Sequence, residues 1–210
     1  MPFFIQGSFR FEIGKIVCLE FEDEKDPPVV FTKPATSVVH QDDDVLTKDG
    51  KDELAFSLYY AMAMGRRTES SKKAKMSSVL GFGMLLDIFD PKELSKLRKE
   101  GLPWDLTKGR DTFCPISEFT SSKDIGDPYG HEVYLEKNGR EVRNTSTREL
   151  QMGLEDAMQH VSESMTLAPG DIIAVKIKGC DGTLAVGDEI EAGISSVGII
   201  RNRIAPPLKG

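Results

Sequence analysis

The apolar run from Leu54 to Met64, LAFSLYYAMAM, constrains the fold more than any other stretch of the chain. Its aromatic content favours a strand, and Gly65-Arg66-Arg67 ends it. Strand alternation then places Ser57, Tyr59, Ala61 and Ala63 on one face, with Phe56, Leu58, Tyr60, Met62 and Met64 on the other. Shorter runs repeat the texture. Lys15 to Leu19 reads as a strand that leads into an acidic loop, Glu20 to Asp26, and then Pro27-Pro28. Val29 to Phe31 is a second short strand, stopped by Lys33-Pro34. Asp90-Pro91 opens a helix, the aspartate as N-cap and the proline at the first helical position, and Gly101 closes it.

The second half is built of strands and turns. Val133 to Lys137, Asn138-Gly139 and Arg140 to Arg143 read as a hairpin, because Asn and Gly both tolerate positive φ. Leu150, Leu154, Met158 and Val161 fall at helical spacing and predict an amphipathic helix over Ser146 to Ser164. Gly170-Asp171 and Gly187-Asp188 each set a turn before a strand, and Val197 to Ile204 ends the chain as another. The chain therefore reads as one β-rich α+β domain over residues 1–210, with 1–14 as an N-terminal extension.

With 210 residues, 39% of them hydrophobic and 29% charged, the chain can bury a sizeable core. Its net charge of −7 and lack of a large basic block argue against nucleic-acid binding as the main task. No apolar run approaches the roughly 18–20 residues that a transmembrane helix needs. The opening stretch MPFFIQGSFRFEIGK lacks the basic and apolar regions of a secretory signal. The separated cysteines Cys18, Cys114 and Cys180 suit a reducing compartment. The histidines His40, His131 and His160 are isolated, and no HxxxH, CxxC or phosphate-loop pattern occurs. Gly81-Phe82-Gly83 reads as close backbone packing, Asp42-Asp43-Asp44 as a solvated turn, and Lys72-Lys73-Lys75 as a solvated loop. Residue types and spacing alone describe a domain and name no activity.

Several segments together resemble the fumarylacetoacetate hydrolase family, in its acylpyruvase and oxaloacetate decarboxylase branch. They are GKIVC at 14–18, PVVFTKP at 28–34, LLD at 85–87, GLPWDLTKG at 101–109, FCPIS at 113–117, KNGREVRNTST at 137–147, TLAPGDII at 166–173 and GDEIEAGI at 187–194. The resemblance implies a mixed β-sandwich roll and a homodimer. It also implies a Mg²⁺ or Mn²⁺ ion held by a Glu-x-Glu pair on one strand and by an Asp on a later one. Here the positions of the pair are Ser57 and Tyr59, and Asp87 matches the third ligand. The family's lid, which carries a water-activating His and Glu, is deleted between Cys18 and Pro27-Pro28. Its Arg-Asp pair falls on Pro91 and Lys92, its Gln on Leu94, and its substrate loop on Val175 to Lys178. Lys108 matches the family's active-site lysine.

These departures lead to the expectation of a pseudoenzyme with no catalytic, metal-binding or substrate-binding residues and no cofactor. Asp87 and Lys108 are then vestigial positions kept as a buried ion pair. The expected role is a structural or accessory subunit with protein partners in a larger assembly, with a mitochondrial respiratory complex as the setting, or otherwise a cytoplasmic home. The rival is a divalent-metal-dependent hydrolase or decarboxylase of acylpyruvates or oxaloacetate, using Asp87, Lys108 and recruited ligands. A third reading is a metal-free small-molecule sensor.

Overall fold

The computed structural model describes residues 3–6, 9–23, 25–50 and 53–207. Among these residues the strands are, in chain order, β1 (Phe3–Gln6), β2 (Phe9–Glu12), β3 (Ile16–Glu20), β4 (Val29–Lys33), β5 (Val38–Val39), β6 (Asp44–Leu46), β7 (Leu54–Met64) and β8 (Val79–Phe89). After the helices α1 (Pro91–Lys99) and α2 (Asp105–Lys108) come β9 (Cys114–Pro115), β10 (Thr120–Ser121) and α3 (Ser122–Ile125). The hairpin β11 (Glu132–Lys137) and β12 (Arg140–Ser146) leads to α4 (Leu154–Ser164), then β13 (Ile172–Leu184), β14 (Glu189–Ile194) and β15 (Gly198–Ala205). No helix among the described residues is long and apolar enough to cross a membrane.

Two large sheets dominate, a six-stranded one in the order β10-β8-β7-β13-β3-β4 and a five-stranded one in the order β12-β11-β14-β15-β6. The fold class is α+β and strand-rich, a mixed sandwich, as the residues and the family resemblance both led us to expect. In the larger sheet β7 lies between antiparallel β8 and β13, and β13 runs parallel to β3. Burial follows the alternation read from the sequence. Leu58, Tyr60 and Met62 of β7 join Val133, Leu135, Ile190, Ile200 and Ile204 of the smaller sheet and Leu154, Met158 and Val161 of α4 in one core. Tyr59, Ala61 and Ala63 join a second core on the opposite face with Ile16, Cys18, Phe31, Leu85, Cys114 and Ile172. A strand apolar on both faces is covered on both faces.

The turns sit where their chemistry places them. Asn138 and Gly139 take φ of 52° and 70°, the pair of positive values that matches the twist of a tight hairpin. Asp188 ties that turn to β14: its carboxylate accepts from the Asn138 amide and from the Ala185 N–H, while the Asn138 side-chain oxygen accepts from the Glu189 N–H. Asp171 plays the matching part at the other Gly-Asp turn, accepting from the backbone N–H groups of Lys15 and Ala168. Asp90 caps α1 by accepting from the N–H groups of Lys92 and Glu93. Gly81 and Gly83 do permit close packing, since a Cβ at Gly81 would stand 2.6 Å from the Thr120 carbonyl oxygen, and one at Gly83 3.0 Å from the Phe119 ring.

Three boundaries differ from expectation. The helix expected from Ser146 begins only at Leu154, because Leu150 bridges to Ile177 of β13 and Gln151 donates its N–H to the Lys176 carbonyl. The second strand continues through Lys33, and Glu20 ends β3 rather than opening a loop. Both extensions bear on the site.

Candidate active site

Alternation on the larger sheet sends Glu20 of β3, Lys33 of β4, Tyr59 of β7, Asp87 of β8 and Lys176 of β13 to the same face, the one occupied by the second core. Lys108, at the end of α2, completes the group. Ser57 stands opposite Asp87 in the strand register, and Tyr59 opposite Lys176.

The GLPWDLTKG segment holds Lys108 in place. Thr107 donates its hydroxyl to the Trp104 carbonyl, and the Gly109 N–H returns to the Asp105 carbonyl, closing one helical turn. The Trp104 ring meets Phe31 edge-on at 5.9 Å, docking α2 against β4. Lys108 then projects its ammonium over the faces of Phe31, at 3.9 Å, and Phe89, at 4.5 Å. A desolvated cation over ring faces gains from the ring quadrupole.

Asp87 is fully buried and both of its oxygens carry an ammonium: Lys33 Nζ at 2.5 Å from Oδ1, and Lys108 Nζ at 2.5 Å from Oδ2. Lys33 donates further to the carbonyls of Lys108, at 2.5 Å, and Ile88, at 3.4 Å. A lysine ammonium has three donors, and each has an acceptor here. Lys108 also faces Glu20 Oε1 at 3.4 Å. Glu20 Oε2 accepts the Tyr59 hydroxyl at 2.8 Å and lies 4.0 Å from Lys176 Nζ. Lys33 and Lys108 balance Asp87 and Glu20, the condition under which buried charge is tolerated.

Among the described residues of the cluster, Glu20 and Lys176 are the partly exposed ones, with side chains 11% and 17% exposed. Gln151 shapes this opening. Its amide accepts from the Phe21 N–H and donates to the Phe21 carbonyl, fastening the chain where it leaves β3. Two cavities, of about 600 and 430 Å³, lie elsewhere: one among Glu132, Tyr134, Asn144 and Ile199, the other beside Phe82, Tyr129 and Glu155.

Burial, with the charges of Asp87 and Glu20, pushes the Tyr59 phenol well above its ordinary value. Burial and the Asp87 charge do the same for the Cys18 thiol, and burial raises Cys114 to about 12 against the partial opposition of Lys33. These groups stay protonated in the fold to a higher pH than in the unfolded chain. Their contribution to stability is therefore complete below pH 9 and is lost as pH rises from 9 toward 12. Urea midpoints measured from pH 8 to pH 11 should fall steadily above about pH 9; a midpoint independent of pH in that range contradicts this.

The family's divalent ion does not fit these residues. A hard dication needs several oxygen ligands. Ser57 and Tyr59 bring no carboxylate, both Asp87 oxygens already carry ammonium groups, and no set of three or more His, Cys, Asp or Glu side chains able to hold a metal gathers among the described residues.

Residues 12–205 match the family described as fumarylacetoacetate (FAA) hydrolase C-terminal, and the chain belongs to that family. A curated relative, the mitochondrial oxaloacetate tautomerase FAHD1 of Bos taurus, is 32% identical over 86% of this chain and 82% of its own length. The solved 2-hydroxyhepta-2,4-diene-1,7-dioate isomerase of Mycobacterium marinum superposes with a TM-score of 0.81 at 25% identity, covering 94% of this chain and 76% of that one. The fumarylpyruvate hydrolase of Pseudomonas aeruginosa, solved with Mn²⁺ and pyruvate, shares the fold, with a TM-score of 0.87 at 19% identity over 96% and 93% of the two chains.

These relatives correct the expectation of a pseudoenzyme serving as an accessory subunit of a respiratory complex. Relatives matching along most of their length are enzymes of small oxo and hydroxy acids. The site around Asp87 is densely charged rather than emptied. Asp87 and Lys108 are in direct contact, and Lys33, Glu20, Tyr59 and Lys176 surround them with charge and protons. None of those four was expected as a functional residue. For Lys33 a signal was available: a lysine two positions after Phe31, on the inward face of a strand, requires a buried anion.

Proposed function

We propose that this chain is an enzyme of small 2-oxo acids in the oxaloacetate and acylpyruvate class, and that the chemistry its residues support best is keto–enol proton transfer. The observation that carries the proposal is the group around Glu20, whose carboxylate has the Tyr59 phenol at 2.8 Å, the Lys108 ammonium at 3.4 Å and the Lys176 ammonium at 4.0 Å.

A 2-oxo acid offers a carboxylate, a carbonyl and an acidic C–H beside the carbonyl. The Lys176 ammonium, at the opening, pairs with the carboxylate. Glu20 takes the proton from the carbon next to the carbonyl. The C–H electron pair forms the C=C bond, and the carbonyl π pair moves to oxygen. The Lys108 ammonium stabilises that developing charge in a site largely closed to water, where fixed charges act most strongly. The Tyr59 hydroxyl gives its proton to the enolate oxygen and recovers one from Glu20, to which it is hydrogen-bonded. Atoms and charge balance without water or a further reactant. Hydrolysis would require an activated water, and the family's lid residues for that step are missing, so proton transfer is favoured over bond cleavage by water.

The Bos taurus relative supports a mitochondrial location, since its name carries that word. The homodimer implied by the family would elute at twice the chain mass of 23.2 kDa.

The test is an ultraviolet assay of enol–keto relaxation of oxaloacetate with purified protein in a chelating buffer, repeated with a panel of acylpyruvates. Acceleration over the buffer rate is expected for at least one of them. Rates equal to buffer for all of them overturn the proposal.

A further inference from the structure

We infer that the cavity of about 430 Å³ beside Phe82 and Tyr129 is a second ligand site, shaped for a flat ring that carries an uncharged amide. Its volume falls within the roughly 300–1,000 Å³ usual for small-molecule sites. Phe82 belongs to the core on the sheet face opposite the Asp87 cluster, so this site and the candidate active site lie on different sides of the sheet. Tyr60 carries the argument. Its ring stacks on Phe82, with centroids 5.6 Å apart and planes 21° apart. The side chain is wholly buried, yet its hydroxyl pairs with no group among the described residues. Burial, reinforced by Tyr129 and Asp127, pushes that phenol well up, so it stays a neutral donor. Both of those residues lie in the 126–129 segment that walls the cavity. An unpaired buried hydroxyl is costly, and a native one without a protein partner points to a group from outside the chain.

The lining sets the ligand's chemistry. Met76, Phe82 and Pro128 give apolar walls, and the faces of Phe82 and Tyr129 suit a ring. The Tyr60 hydroxyl donates, so the ligand accepts there, as a carbonyl oxygen does. The Tyr129 hydroxyl accepts the Leu154 N–H at 2.9 Å, and no bond among the described residues uses its own proton. Gln159 stands one turn beyond Glu155 on the same face of α4. Its buried side-chain oxygen has no partner among the described residues and is the acceptor that an amide N–H requires. Glu155 is exposed at the rim, and the Asp127 carboxylate accepts the Tyr129 N–H. Negative charge there disfavours a carboxylate. The site therefore takes a different class of molecule from a 2-oxo acid, and it stands whether or not 2-oxo acid turnover is found.

Saturation-transfer NMR with benzamide, nicotinamide and 2-pyridone tests this on the wild-type protein, Tyr60→Phe and Glu155→Trp, with benzoate as the anionic counterpart. Saturation should reach at least one of the amides. Tyr60→Phe removes a single oxygen and should weaken binding of that amide about 3–10-fold. The same variant should melt at or above the wild-type temperature, because the unpaired hydroxyl is gone. Glu155→Trp, on the exposed side of α4, fills the mouth of the cavity and should abolish the transfer. No transfer to any amide overturns the inference and leaves the cavity to water. Equal transfer in all three proteins shows that the amides bind elsewhere and overturns it as well. Benzoate bound at a place that Glu155→Trp blocks overturns the ligand class. If Glu155→Trp does not fold, the comparison of wild type with Tyr60→Phe still decides.

Discussion

Asp87→Asn should lower the free energy of unfolding by about 3–5 kcal/mol, which is the usual cost of removing one partner from a buried ionic pair. The side chain is wholly buried and, among the described residues, is the only carboxylate that Lys33 contacts. Asparagine preserves the shape but offers one neutral oxygen to two ammonium groups, so at least one buried cation is left uncompensated. Because total stability of a domain is only about 5–15 kcal/mol, a large share of the fold's margin depends on this one position. The check is a urea titration of both proteins. The midpoint should drop while the slope stays constant, as expected when stability changes and the surface exposed on unfolding does not. A loss below about 1 kcal/mol, the range of solvent-exposed pairs, would mean that the cluster is hydrated or open.

Glu20→Gln should have the opposite profile, with activity lost and the fold largely kept. Removing a general base commonly lowers a rate by about 10²–10⁴-fold. Glutamine can still accept the Tyr59 hydroxyl, Lys108 keeps Asp87, and Lys176 keeps Asp181 at 3.3 Å. The loss in stability should therefore be smaller than that of Asp87→Asn. Oxaloacetate relaxation rates and urea midpoints measured on the same preparations separate the two effects. An active Glu20→Gln protein would remove Glu20 from the proton-transfer role. Equal damage to stability from both substitutions would show that Glu20 serves the fold.

The pairing of these two outcomes reflects what can be read from a one-dimensional pattern. Period-2 alternation in Leu54–Met64 assigned each side chain to the correct face, because strand geometry leaves no other choice. Asn138-Gly139, Gly170-Asp171 and Asp90-Pro91 were legible as turns and a cap because their chemistry is local. The stretch 147–152 was not, because its pairing with β13 depends on a strand some twenty residues further along. Leu150 satisfies helical spacing by coincidence while bridging to Ile177.

The site divides the same way. Asp87 and Lys108 were found through the family resemblance, and the structure places them together. Lys33 resembled a strand terminator beside a proline, Glu20 the first of several acids, and Lys176 a bulky replacement in a substrate loop. Their meaning arises only when β3, β4 and β13 are assembled around β7 and β8. A sequence reveals which ligands are missing from a constellation. It does not reveal what surrounds the gap, and here Glu20 and Lys176 from other strands add charge and exchangeable protons beside Asp87 and Lys108.

The most direct test of the central claim is the rate of enol–keto relaxation of oxaloacetate with wild-type protein, in chelating buffer, against Glu20→Gln at equal concentration. The account predicts acceleration by the wild type that survives the chelator and is lost in the variant. Wild-type and variant rates both equal to buffer would contradict it.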